Sequence, residues 1–217
     1  MRLSASNIAL DRGGRRLFSN LSFEVAKGEA LIVVGANGVG KSSLLRAIAG
    51  LLPLAEGTLS SDGRDADSSL AEQAHYVGHA DAVKGVLTPR ENLDFWEAML
   101  APWPGSTPQG AAVPDTARKS AEAMARLGLT HVLDLPAHAL SAGQKRRVAL
   151  ARLLVAERPL WLLDEPMTAL DETAQNLFVA ILREHLDAGG LVVAAAHGPI
   201  NLGGARQLRL GAPEAAR

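Results

Sequence analysis

The sequence predicts an α/β protein with a parallel core sheet, and three observations carry that reading. Ala30-Leu31-Ile32-Val33-Val34, Leu160-Trp161-Leu162-Leu163 and Leu191-Val192-Val193-Ala194-Ala195-Ala196 are continuous apolar runs without alternation. A strand buried on both faces reads this way, and parallel sheets bury both faces. Helical stretches follow two of the runs, Lys41 to Gly50 and Glu172 to Leu186, and alternating strands and helices argue a parallel sheet. Hydrophobic residues make up 47% of the 217, enough for a packed core and too many for a disordered chain.

The remaining elements follow from local signals. Ile8–Leu10 and Leu21–Val25, joined by Asp11-Arg12-Gly13-Gly14-Arg15-Arg16, read as short antiparallel strands of an N-terminal β subdomain. Thr88-Pro89-Arg90-Glu91 opens a helix, with Thr88 as N-cap, Pro89 at the first helical position and Glu91 completing a capping box. Ala101 to Pro114 holds prolines at 102, 104, 108 and 114 and is expected to be a loop. Thr116 to Gly128 is a helix closed by glycine, and Lys145 to Glu157 a long one. The expected organisation is one domain, with its core over 1–87 and 157–217 and a helical lobe over 88–156.

Charge and composition exclude several functions. Lys+Arg is 22 and Asp+Glu is 23, a net charge of -1, without the basic excess that gripping nucleic acid requires. The absence of cysteine removes disulfides, thiolate zinc sites, iron–sulfur clusters and thiol nucleophiles. The first residues form no continuous apolar stretch, so no secretory signal is expected. Leu44–Ala55 is broken by Arg46 and Pro53, and Val148–Ala156 by Arg152. Both fall short of the roughly 20 apolar residues of a bilayer span, and the chain is expected to be soluble by itself.

Gly35-Ala36-Asn37-Gly38-Val39-Gly40-Lys41-Ser42, continuing into Ser43, matches G-x-x-x-x-G-K-[ST] and lies between a buried strand and a helix. Such a loop turns its backbone N–H groups inward at phosphate oxygens. Lys41 supplies charge to the outer phosphates and Ser42 a hydroxyl ligand for Mg2+, while the helix N-terminus adds its dipole. The pattern marks a P-loop NTPase fold. Leu160–Leu163 runs into Asp164-Glu165-Pro166, a carboxylate pair that is costly at the end of a buried strand without a cation nearby. Asp164 is placed to hold Mg2+ through water or Ser42, and Glu165 to orient or deprotonate the water that attacks the terminal phosphate. His197 ends the third buried run, at the strand ends where open α/β sheets bind ligands, and is assigned to the terminal phosphate.

Leu140-Ser141-Ala142-Gly143-Gln144 precedes the long helix. Ser141 and Gln144 have capping-box spacing and would cap any helix. A helix N-terminus with a serine and a close-approach glycine is also an anion site. With these residues the chain resembles the ATP-binding cassette (ABC) ATPases, whose LSGGQ signature appears as LSAGQ and whose D-loop matches Thr168-Ala169-Leu170-Asp171. The resemblance implies ATP hydrolysis and a head-to-tail homodimer. Each ATP would lie between the Gly35–Ser43 loop of one copy and Ser141, Gly143 and Gln144 of the other, with Asp171 nearby and separate membrane subunits as partners. The family's adenine-stacking aromatic is replaced by Leu10-Asp11-Arg12-Gly13, which leaves Arg12 to stack. Its Q-loop glutamine is replaced at His79 in His75-Tyr76-Val77-Gly78-His79.

Tyr76-Val77-Gly78-His79, Lys84, Leu87-Thr88, Glu91-Asn92-Leu93 and Phe95-Trp96 are similar to the cytochrome c biogenesis ATP-binding export proteins (heme exporter protein A). So are Leu140 to Arg152 and Pro159-Leu160-Trp161, with Ala80 where that branch has glutamine. The resemblance implies a peripheral ATPase on the cytoplasmic face of the bacterial inner membrane, whose hydrolysis drives release of a heme-loaded chaperone. Direct heme ligation is not expected, since cysteine is absent and His131 and His138 lie in the helical lobe.

Overall fold

The computed structural model describes residues 1–62, 69–100, 116–196, 198 and 200–211. In chain order the first elements are β1 (Leu3–Arg12), β2 (Arg15–Val25), β3 (Ala30–Val34), α1 (Lys41–Ile48), β4 (Glu56–Ser61) and β5 (Ala74–Val77). They are followed by α2 (Pro89–Leu100), α3 (Thr116–Arg126), α4 (Ala142–Val155), β6 (Leu160–Asp164), α5 (Glu172–Asp187), β7 (Leu191–Ala195) and β8 (Arg206–Arg209). Two 3-10 turns, Thr130–Val132 and Ala137–Ala139, lie between α3 and α4.

The core sheet has five strands in the order β5-β6-β7-β3-β8, and every pair is parallel. Its three central strands are the three apolar runs; β6 and β7 are buried at every position. One edge strand, β5, falls where a strand is expected after residue 74. The other, β8, has no sequence signal for a physical reason: it is largely exposed at the sheet edge, so Arg206-Gln207-Leu208-Arg209 carries no apolar run. A parallel sheet also aligns its strand ends. The carboxyl ends of β3, β6 and β7 therefore open on the same edge of the sheet.

A second, antiparallel sheet has the order β2-β1-β4. Its strands run further than Ile8–Leu10 and Leu21–Val25, because β1 extends to Arg12 and β2 starts at Arg15. Arg12 pairs with Arg15 across a two-residue turn, Gly13-Gly14, with φ of 59° and 74°. A type I′ hairpin demands positive φ at both turn positions, which glycine meets without strain. Alternate residues of the core sheet (Leu31, Val33, Leu160, Leu162, Leu191, Val193) join Leu44, Leu45 and Ile48 of α1 and Leu3, Ile8, Leu10, Phe18 and Phe23 of the hairpin in one apolar cluster. Helix α1 is thus anchored by its apolar side, which fixes where its N-terminus points.

The chain divides into two compact units. One contains both sheets and α1, as residues 1–79, 158–167 and 179–211 of the described chain; the other comprises 80–157 and 168–178. In the second, α2, α3 and α4 pack on one another. Leu93, Met124, Leu127 and Leu150 are fully buried, Arg152 lies 4.7 Å over the Trp96 ring, and Arg146 pairs with Asp81 at 3.1 Å. The capping box of α2 forms as expected: Thr88 N–H donates to Glu91 Oε2 at 2.8 Å and Glu91 N–H to Thr88 Oγ1 at 3.2 Å. Helix α4 begins at Ala142, not Lys145, since Ser141 already acts as its N-cap. The expected loop over 101–114 lies outside the described residues.

Below β6, the His185 ring of α5 stacks on Trp161 with centroids 3.8 Å apart and planes 9° from parallel. Burial lowers the His185 pKa from its ordinary 6.5, against the opposing pull of backbone carbonyls at Leu191 and Pro159. The folded state therefore holds His185 neutral, and below about pH 6.5 the unfolded chain takes the proton first. The stabilisation is complete above that pH and is lost as pH falls further. His185→Phe keeps the stack and removes the titration. Urea midpoints taken from about pH 7.5 to 5.5 should fall more steeply for the natural chain than for this variant; equal slopes would contradict the assignment.

Candidate nucleotide site

The Gly35–Ser43 loop leaves β3 and enters α1 at the strand-end edge of the core sheet. Its first residue permits no side chain. A Cβ on Gly35 would lie 2.6 Å from the Leu210 carbonyl oxygen, because Leu210 N–H donates to Val34 O at 2.9 Å and holds that backbone against the loop. Gly40 caps α1 in the left-handed region with φ 111° and no side-chain hydrogen bond. The first N–H groups of α1 thus lack a side-chain acceptor, the usual state of a helix end that takes an anion.

Three side chains converge there. Lys41 is 7% exposed and donates from Nζ to the Gly35 and Ala36 carbonyls at 2.8 and 3.1 Å. An ammonium has three donors, so this pair of bonds pins its position over the loop and leaves the third. Ser42 Oγ donates to Asp164 Oδ1 at 2.9 Å. Asp164 is the last residue of β6 and only 2% exposed, a position where a carboxylate requires hydrogen bonds or a cation.

Glu165 follows with φ 50°, and its N–H donates to Ala195 O at 2.9 Å at the end of β7. A non-glycine residue in this region costs about 1 kcal/mol or more and persists only where its surroundings impose it. Here the bond to β7 imposes it. Glu165 lines an open cavity of about 580 Å3 together with Lys41, Ser42, Ser43, the loop residues Asn37, Gly38 and Gly40, and Arg12 and Leu17 from the hairpin. Arg12 Nη1 lies 3.4 Å from Ser43 Oγ.

The donor set fits Mg2+. A serine hydroxyl and a carboxylate are hard oxygen ligands, and Mg2+ is held by one or two such groups with phosphates and waters completing its shell. Among the described residues there is no cluster of three His, Cys, Asp or Glu that could hold a metal unaided.

Other predicted site residues lie elsewhere. His79 is exposed beyond the end of β5 and does not line the cavity. His197 lies outside the described residues. Ala36 and Val39 belong to the loop but not to the cavity wall; Val39 packs on the apolar cluster. Leu17 does line the wall, and the sequence reading missed it, since Leu17 lies at an irregularity of the hairpin register that no sequence pattern announces.

In the second unit, Ser141 and Gln144 form the full capping box of α4. Gln144 N–H donates to Ser141 Oγ at 3.2 Å, and Ser141 N–H to Gln144 Oε1 at 2.9 Å. A Cβ on Gly143 would stand 2.8 Å from the Ala169 carbonyl, so the signature and the D-loop meet backbone to backbone. Ala142 takes the place of a glycine of the LSGGQ pattern at an exposed first helical position, where a methyl meets no obstacle. Asp171 caps α5, its Oδ1 accepting from Ala174 N–H at 2.8 Å.

Known proteins match this architecture. The family described as ABC transporter matches residues 18–168. The cytochrome c biogenesis ATP-binding export protein CcmA of Rhodopseudomonas palustris is 49% identical over 212 residues, covering 98% of this chain and 99% of that protein. Its namesake from Bradyrhizobium diazoefficiens is 49% identical over 211 residues, covering 97% and 98%. Among solved structures, the ATP binding subunit of an ABC transporter superposes with a TM-score of 0.76 at 21% identity, covering 91% of this chain and 80% of that one. The fold, the phosphate loop with its strand-end carboxylates, and full-length identity near one half lead to one conclusion: the chain belongs to the ABC transporter family, in the branch of the cytochrome c biogenesis ATP-binding export proteins.

Proposed function

We propose that this chain is the ATP-hydrolysing subunit of a bacterial membrane complex in cytochrome c maturation, coupling hydrolysis to heme export or to release of a heme-loaded chaperone. The observation that carries the reading is one strand-end cavity lined by Lys41, Ser42 and Glu165, with Asp164 hydrogen-bonded to Ser42 behind it. The full-length likeness to export proteins supplies the pathway.

The residues divide the work. Loop N–H groups and Lys41 Nζ bind and orient the β- and γ-phosphates. Ser42 and Asp164 would hold Mg2+, which would supply positive charge against the phosphates. Glu165, fixed by the β7 contact, orients the attacking water and takes its proton at a carboxylate oxygen. The N-terminus of α4, with Ser141, Gly143 and Gln144, serves the nucleotide of a second copy in a head-to-tail homodimer. Asp171 positions the D-loop beside it. His197 contacts the terminal phosphate. His79 senses the nucleotide state for the membrane partner.

No described helix is long and apolar enough to cross a membrane; the likeness to ATP-binding export proteins supports separate membrane subunits as partners. Helix α2 offers a surface for them. Phe95 and Met99 are 45% and 59% exposed and lie one turn apart on one helix face, an apolar exposure that marks protein contacts. The complex is assigned to the cytoplasmic face of the inner membrane.

Two outcomes are expected. Glu165→Gln keeps the shape of the site and removes the proton acceptor, so turnover should fall by about 10² or more while ATP binding persists. Steady-state hydrolysis alongside equilibrium binding checks this, and undiminished turnover would remove Glu165 from the chemistry. Phe95→Asp combined with Met99→Asp should abolish co-purification with the membrane subunits at unchanged ATP affinity. Recovery of the intact complex from that double variant would place the docking surface elsewhere.

A further inference from the structure

We propose that Arg46 and Tyr76 are positioning residues that fasten the end of β5 to α1, so that filling the phosphate loop is felt at Gly78 and His79. The proposal rests on the reading of His79 as a sensor of nucleotide state and names the contact through which a residue outside the cavity wall could act as one.

Helix α1 is held at two points on one face. Ser42, in its first turn, is bonded to Asp164 at the end of β6. Arg46 stands four residues on, one turn along the same face. Its Nε donates to the Tyr76 hydroxyl of β5 at 3.2 Å. The two anchor points are neighbours in the sheet as well. Tyr76 is in register with Leu162, two residues before Asp164, so Tyr76 and Asp164 project from the same face of adjacent strands. Tyr76 packs on the same apolar cluster as Leu44, Leu45 and Ile48 of α1. The pKa of Arg46 is raised, first by its bond to Tyr76 and also by the Asp164 carboxylate. A change of charge at the Ser42–Asp164 junction therefore reaches Arg46 through space as well as along the helix.

From Tyr76 the contact passes to the residue before His79. A Cβ on Gly78 would stand 3.1 Å from the Tyr76 hydroxyl oxygen and 3.3 Å from two of its ring carbons. The phenol thus lies against the Gly78 backbone, and the end that lies nearest is the end held by Arg46. Beyond His79 the chain passes into the second unit. Among the described residues β5 pairs with β6 alone and is four residues long. A short edge strand has one ladder to hold it, so a side-chain tether to α1 weighs more there than on a central strand.

The chain contains one tyrosine, so 3-fluorotyrosine labelling gives a single 19F signal, from Tyr76 itself. In the natural chain that signal is expected to move when Mg2+ and ATP saturate the site. Arg46→Met keeps the length of the side chain and removes its donor. It should bind ATP within about threefold of the natural chain and lose most of the 19F shift, and Arg46→Lys, which restores a donor, should recover part of it. Tyr76→Phe keeps the ring and removes the acceptor. In the complex purified with its membrane subunits it should lower kcat about tenfold at unchanged KM for ATP, as loss of coupling and not of binding. The proposal is overturned if the signal of the natural chain stays in place at saturating ATP, if Arg46→Met shows a shift of equal size, or if Tyr76→Phe retains the natural kcat. His79→Ala tests the underlying reading separately. Undiminished kcat of that complex would remove the sensor role of His79, whatever the 19F signal of Tyr76 does.

Discussion

The hydrogen bond from Ser42 to Asp164 holds the chemistry of this protein together. It joins residues 122 positions apart, the first turn of α1 and the end of β6. A carboxylate 2% exposed at the end of a buried strand is costly unless its oxygens are satisfied, and a hydroxyl on α1 contributes that partner. The bond sets the loop at a fixed distance from the acidic pair. It also places two hard oxygen ligands together, where an ion accompanying a nucleotide can use both. Glu165 depends on the same junction. Its left-handed backbone is imposed by the bond to Ala195 at the end of β7, so β3, β6 and β7 each fix one part of the site.

How much of this was legible in the sequence depended on what each residue had to signal. The three central strands were visible because burial on both faces demands unbroken apolar runs, as in Leu160 to Leu163. The phosphate loop was visible because its glycines answer to backbone geometry; at Gly35 the obstacle is the Leu210 carbonyl, and no other residue fits. The edge strand β8 was not legible. Arg206-Gln207-Leu208-Arg209 has no pattern of its own, yet β8 leads into the Leu210 backbone that Gly35 must pass. The start of α4 was read three residues late, because Ala142, Gly143 and Gln144 carry no apolar periodicity and the helix is announced only by its Ser141 cap. Arg12 was legible as a departure from a family pattern, but its direction was not. That required the register of the hairpin.

Strain and capping separate the two kinds of site residue. Groups on the core unit are held by bonds that fix a side chain over the cavity, such as those of Lys41 and Ser42. In the second unit, the side chains of Ser141 and Gln144 are occupied in capping α4, and Asp171 in capping α5. What the α4 terminus could offer a nucleotide is therefore its remaining backbone N–H groups and its dipole. On the proposed reading, a cradle that takes phosphate from one side and a capped helix end that takes it from the other would be complementary, and two copies arranged head to tail would satisfy both.

That arrangement is the central claim, and the chain's composition makes it directly measurable. The protein contains no cysteine, so Asn37→Cys paired with Ser141→Cys introduces its only thiols. The account predicts a disulfide between copies that forms when Mg2+ and ATP are present under mild oxidation and not in their absence, and that gives a covalent dimer. A pair that stays monomeric with ATP, or cross-links equally well without it, would contradict the shared nucleotide site.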